Sequence, residues 1–80
     1  MAADLLDRDS PDPLYEQLAA ILRGRIEAGS ITSRLPSETS LMQEYGISRI
    51  TARKAVEVLA AEGLVRVSHG RGTFVIREPN

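Results

Sequence analysis

Arg49 and Arg53 stand four residues apart, one helical turn, directly after Ser48. A guanidinium presents its N–H donors in a planar fork, the arrangement that matches O6 and N7 of guanine or two oxygens of a phosphate. Ser48 and Thr51 place hydroxyls at the start of the same segment, where free backbone N–H groups and the helix dipole favour an anion. Lys54 adds a point charge beside Arg53. A second group follows at His69-Gly70-Arg71-Gly72, where two glycines allow close backbone approach and Arg71 and His69 bring a cation and a polar ring. Ser37 and Thr39, at the start of a shorter segment, offer two more hydroxyls. These residue types bind a polyanion; they do not make or break bonds.

The inventory argues against catalysis. Glu38 and Glu44 have no partner acid or metal ligand at a useful spacing, and no serine or threonine is placed with His69 in a nucleophilic pattern. The chain has no cysteine, which excludes disulfides and thiolate metal sites, and its one histidine is not surrounded by clustered carboxylates. Gly70-x-Gly72 falls within a hairpin pattern rather than between a strand and a helix, so it is not a phosphate loop. Neither a cofactor nor an enzymatic activity is implied.

The elements that must position these groups can be read from periodicity. Residues 1–11 are acidic and aperiodic and read as a disordered leader. Asp12 and Pro13 supply an N-cap and a first helical residue, and Leu14, Leu18, Ile21, Leu22 and Ile26 then follow helical spacing up to Gly29. Ser30 to Pro36 is a connector. Ser37 caps a short helix, about Glu38 to Glu44, with Leu41 and Met42 inward, and Tyr45-Gly46 ends it at a position suited to positive φ. Ile47 locks the turn, Ser48 caps a third helix of about Arg49 to Glu62, and Gly63 closes it.

At about 100° per residue, Ala52, Ala55, Val56 and Leu59 form one apolar stripe, and Arg49, Ile50, Arg53, Lys54 and Glu57 share the opposite face. The arginines are therefore excluded from the core. Leu64–Ser68 and Thr73–Arg77 read as two strands of a hairpin around the glycine-rich tip, a ribbon too weak to stand without the helices. The expected fold is mainly α with a small β-hairpin: a winged helix-turn-helix domain over 12–77, its helix-turn-helix about 38–62, its wing about 64–77, and a short tail at 78–80. Helix, glycine turn, arginine-bearing helix and cationic wing, in that order, point to a duplex read by one helix in the major groove.

Eighty residues suffice for one small domain with a single core. The net charge of −1 looks unfavourable for a DNA partner until it is divided. Residues 1–16 carry five acidic groups (Asp4, Asp7, Asp9, Asp12 and Glu16) against Arg8, a net of −4; the rest carries nine Arg and Lys against six Glu, a net of +3. Phosphate affinity depends on charge within a Debye length of roughly 8 Å, not on the total. The longest apolar runs are a few residues and no signal pattern opens the chain, which excludes a membrane span and favours the cytoplasm by elimination.

Each group taken singly has an ordinary explanation. An arginine pair at i and i+4 is commonly a solvated helix face. His69 suits any polar loop, and Gly70 and Gly72 suit turn geometry. Ser37 and Ser48 are N-caps whose replacement by Ala costs about 1 kcal/mol with or without DNA. Only the ordered combination points beyond structure. The competing expectation is a winged-helix module that binds protein rather than DNA, which the acidic leader and negative net charge would suit.

Five blocks in order carry a resemblance: Pro13-Leu14-Tyr15-Glu16-Gln17-Leu18, Arg34-Leu35-Pro36-Ser37-Glu38, Gly46-Ile47-Ser48-Arg49-Ile50-Thr51-Ala52-Arg53-Lys54-Ala55, Leu59-Ala60-Ala61-Glu62-Gly63-Leu64-Val65 and Gly70-Arg71-Gly72-Thr73-Phe74-Val75. Over residues 13–76 the chain resembles the N-terminal winged helix-turn-helix domain of GntR-family bacterial transcription regulators, and its opening and the spacing after Gly63 look most like the HutC-like branch. The resemblance implies a regulator, usually a repressor, that binds a short palindromic operator as a homodimer. It places Arg49 and Arg53 in the major groove, Ser48 and Thr51 on phosphates, and His69, Gly70 and Arg71 in the minor groove. Two departures stand out. Thr39 occupies a position where family members commonly carry Arg, leaving it a phosphate donor at most. The connector Gly29–Leu35 is shorter than the usual Pro-Gly form. Family proteins continue into a larger ligand-binding and dimerisation domain, so the expectation here is an isolated domain or a small regulator, with no effector site of its own.

Overall fold

A computed structural model describes residues 5–76 of the chain; the expectations for residues 1–4 and 77–80, including Arg77 at the end of the second strand, lie outside the described residues. Three helices lead into a two-stranded antiparallel ribbon: α1 (Leu14–Ala28), α2 (Glu38–Tyr45), α3 (Arg49–Ala61), β1 (Val65–Ser68) and β2 (Gly72–Val75). This is the winged helix-turn-helix order that the sequence implies.

The core forms where the apolar stripes meet. Leu18, Ala19 and Leu22 of α1, Leu41 and Tyr45 of α2, and Ala52, Ala55, Val56 and Leu59 of α3 are buried together with Leu35, Ile47 and Val65. The small Ala52 and Ala55, both fully buried, let the backbone of α3 approach its neighbours closely. Ala19 and Tyr45 join the core as well, whereas Met42, expected to point inward, is only partly buried. A bidentate pair between Arg23 and Glu62, with Nε donating to Oε1 at 2.9 Å and Nη2 to Oε2 at 2.6 Å, ties α1 to the end of α3.

The turn between α2 and α3 is built as its residues require. Ser37 Oγ accepts from Ser40 N at 3.1 Å, and Ser48 Oγ accepts from Thr51 N at 3.1 Å, so each serine satisfies an otherwise unpaired N–H of its helix. Gly46 adopts φ 65°, a left-handed value that strains any residue with a Cβ, and its N–H closes α2 on the Met42 carbonyl at 2.9 Å. Ile47 is buried just beyond it.

Three features differ from expectation. Asp12 does not cap α1: Pro13 takes the cap position with no side-chain hydrogen bond, and the Asp12 carbonyl instead accepts from Gln17 Nε2 at 2.8 Å. Residues 5–11, read as a disordered leader, are tied down. Gln17 pairs with Asp7 in both directions, accepting from its N–H at 2.7 Å and donating to its carbonyl at 2.9 Å. Arg8 Nη2 donates to the carbonyls of Tyr45 at 3.0 Å and Gly46 at 2.9 Å. The partners of Arg8 lie 37 and 38 residues away, beyond the reach of local pattern. The connector, finally, is no bare loop. Leu35 N–H donates to the Thr73 carbonyl at 2.9 Å and Val75 N–H donates to the Ser33 carbonyl at 2.7 Å, so a short third edge flanks β2 opposite β1.

Candidate nucleic-acid interface

Arg49 and Arg53 project from the exposed side of α3, as its apolar stripe demands, and they do not project independently. Glu38, in the first turn of α2, receives both: Arg49 Nη1 donates to Oε1 at 3.0 Å and Arg53 Nε donates to Oε2 at 3.2 Å. Like charges one turn apart repel, and a carboxylate between them offsets that cost. The N–H groups at the start of α2 favour the same negative charge. The arginine contacts hold the Glu38 carboxyl below its ordinary pKa, with the Arg53 hydrogen bond the largest cause and the Arg49 bond acting in the same sense against partial desolvation. Glu38 was not a candidate on sequence grounds. The signal available was its place beside Ser37, but nothing in local spacing brings it to α3.

The bonding pattern leaves different donors for each arginine. Arg53 is engaged through Nε, so its two terminal nitrogens stay outward; Arg49 is engaged through Nη1, so Nε and Nη2 remain. Both side chains are more than half exposed, which leaves them available to a ligand.

The wing faces the same space. Ser68, His69, Gly70, Arg71 and Gly72 line one open cleft with Arg34, Ser37, Glu38, Thr39, Arg49 and Arg53. The tip closes through Arg71 N–H donating to the Ser68 carbonyl at 2.9 Å, with Gly70 at φ 80° supplying the positive φ of the turn's third residue. β1 and β2 pair in register Val65 with Val75 through Ser68 with Gly72. The loop is thus His69 to Arg71, with Gly72 already paired in the ribbon.

Arg34 supports this tip from below. Its guanidinium carbon lies 5.3 Å from the centre of the Phe74 ring, and its Nη2 donates to the Arg71 carbonyl. A Cβ on Gly72 would stand 2.9 Å from Arg34 Nε, the movable end of a long side chain, so the φ of 129° is the firmer reason for glycine here. Sequence reasoning noted Arg34 only as part of a motif; its pairing across 37 residues was not readable from spacing.

Not every candidate joins the cleft. Ser48 Oγ donates to Thr51 Oγ1 at 3.0 Å, and these two hydroxyls sit at the opening of α3 outside the cleft lining. Lys54 turns toward α1, its Nζ 5.5 Å from the centre of the Tyr15 ring. The structure therefore gathers Ser37, Thr39, Arg49, Arg53 and His69–Gly72 around one cleft, while Ser48, Thr51 and Lys54 lie outside its lining.

Residues 14–75 match the family described as bacterial regulatory proteins, gntR family. The chain belongs to the GntR family. Among curated relatives of this family, it is 44% identical over 73 residues to the uncharacterised HTH-type transcriptional regulator YurK of Bacillus subtilis, covering 89% of the chain and 30% of that protein. It is 40% identical over 72 residues to the HTH-type transcriptional repressor NagR of the same organism, covering 88% of the chain and 30% of NagR. The chain thus spans less than a third of the length of either GntR-type relative. Among solved structures it superposes on the AraR DNA-binding domain in complex with operator ORX1 with a TM-score of 0.80 and 34% identity, covering 90% of the chain and 98% of that domain. GntR-family members are transcription regulators rather than enzymes. Among the described residues, no helix is long and apolar enough to cross a membrane.

Proposed function

We propose that this chain is the DNA-binding part of a cytoplasmic transcription repressor that reads a palindromic operator as a homodimer, with α3 in the major groove and the wing in the minor groove. The observation that carries the reading is the shared cleft: the paired arginines of α3 and the cationic, glycine-bearing wing tip open toward the same space. A duplex offers both grooves side by side, and a helix is the element that fits the wider one. The AraR domain, similar over nearly its whole length, was solved with operator DNA, and NagR bears the name of a repressor.

In this reading Arg49 and Arg53 bond base edges, guanine O6 and N7 being their best partners. Thr51, Ser48, Ser37, Thr39 and Lys54 meet phosphates and set the register. His69, Gly70, Arg71 and Gly72 approach the minor groove. Two copies related by a twofold axis place their α3 helices about 34–36 Å apart, one turn of the duplex.

Selection from random duplex DNA at near-physiological salt, read by sequencing, tests the proposal. Enrichment of an inverted repeat is the expected result. A single half-site would retain DNA recognition and overturn dimeric docking by this chain, and the absence of binding even at low salt would overturn the DNA reading.

A further inference from the structure

The outward face of α3 carries one side chain that neither charge nor packing explains. Ile50 is 67% exposed and does not belong to the core or to the apolar residues packed against it. Around α3, the buried Ala52, Ala55, Val56 and Leu59 centre near 290° from Arg49, and Ile50 falls at about 100°, directly away from the domain. It stands between Arg53 and Lys54 in angle, an aliphatic group set among charges. A β-branched residue is a mediocre helix former, so this position is not explained by helix propensity.

The edges of the base pairs offer one apolar feature to such a group. In the major groove, thymine alone carries a methyl group, at C5, beside the acceptors that arginine and lysine can bond. A helix that inserts its opening turns presents Ile50 more directly away from the domain body than either arginine, next in sequence to Arg49. We propose that Ile50 is a specificity-determining residue that packs on the C5-methyl of a thymine neighbouring the base pairs read by Arg49 and Arg53. The inference rests on the DNA-binding reading above and adds to it a base that the polar residues cannot select. Contact removes both the isoleucine side chain and the methyl group from water, whereas cytosine at the same place offers no methyl.

The test uses the site recovered by selection, prepared with each thymine in turn replaced by deoxyuridine. This exchange deletes the methyl group and leaves the hydrogen-bonding edge unchanged. The wild-type chain is expected to lose affinity about fourfold at one thymine per half-site, the factor that corresponds to roughly 0.8 kcal/mol for one buried methyl group. Ile50→Ala, which removes only an exposed side chain and improves helix propensity, is expected to keep the wild-type circular dichroism spectrum. It should bind the thymine site more weakly and no longer distinguish thymine from deoxyuridine. A wild-type chain insensitive to every replacement, an Ile50→Ala chain that keeps the sensitivity, or a recovered site that requires no thymine would overturn the proposal while leaving specific DNA binding intact. A wild-type chain that binds no duplex would instead remove the reading on which it rests.

Discussion

Glu38 accepts a hydrogen bond from Arg53 Nε at 3.2 Å, so an acid at the start of α2 holds an arginine of α3 by one edge and leaves its terminal nitrogens outward. Arg49 docks on the other carboxylate oxygen, and the three side chains form one unit across the two helices.

The pH dependence of this unit has a definite sign. The Glu38 carboxyl lies below its ordinary value of 4.5 in the folded chain, chiefly through the Arg53 bond. A lowered acid contributes stability that is present above the unfolded value and lost as pH falls through the folded one. Because the pair is largely solvated, the contribution is small. Glu38→Gln should therefore melt below the wild type at neutral pH, with the gap closing as pH drops below about 4.5. Melting curves across pH 3–7 measure this, and a gap that persists to the acid limit would contradict it.

Base reading and phosphate contact separate in their response to sequence and salt. Arg53→Ala is expected to lower specific affinity by about 1–3 kcal/mol and to relax preference at one base pair. Lys54→Ala is expected to weaken all sequences alike and to reduce the salt slope by about one. Competition binding with single-base variants of the selected site, repeated at several salt concentrations, distinguishes the two.

The wing glycines differ in kind. Gly70→Ala meets no atom within 4 Å, so only its φ of 80° is strained, at about 1–2 kcal/mol. Gly72→Ala adds a Cβ 2.9 Å from Arg34 Nε, so the Arg34 side chain has to leave its place under the tip. Urea denaturation should show Gly72→Ala to be the more damaging of the two. An Arg34→Ala background should narrow the difference, because it removes the clashing atoms.

Arg8 stabilises a turn far from it in sequence. Arg8→Ala removes the bonds to the carbonyls of Tyr45 and Gly46, at about 0.5–1.5 kcal/mol for each lost bond. Amide exchange of Gly46 and Ile47 should accelerate while that of Leu59 changes only with global stability. Unchanged exchange at the turn would show that the Arg8 contacts do not hold it.

What the sequence revealed was whatever repeats at short range. The stripe of Ala52, Ala55, Val56 and Leu59, the serine caps and the positive φ of Gly46 all follow from spacing within a few residues, and each is observed. The family followed from five blocks in order. What stayed hidden depends on residues brought together across the chain: Arg8 on the α2–α3 turn, Arg34 beneath Arg71, and Glu38 between two arginines of the next helix. Hydrophobic periodicity carries no information on such polar pairs, since an exposed Glu or Arg satisfies the pattern whether or not it has a partner. The pairing of the connector with β2 stays hidden for a related reason: its hydrogen bonds run through backbone groups of Ser33 and Leu35, which every residue type possesses.

Those same connector bonds have a mechanical consequence. Ser33 and Leu35 join β2 immediately before α2 begins, and Arg34 braces the loop that β2 leaves. The ribbon is consequently tied to the connector, one arm of a caliper with α3 as the other arm and the connector as its bridge. Those bonds favour one span between the two arms. A duplex whose groove separation does not suit that span would have to deform to be gripped, so its stiffness as well as its base sequence enters the affinity.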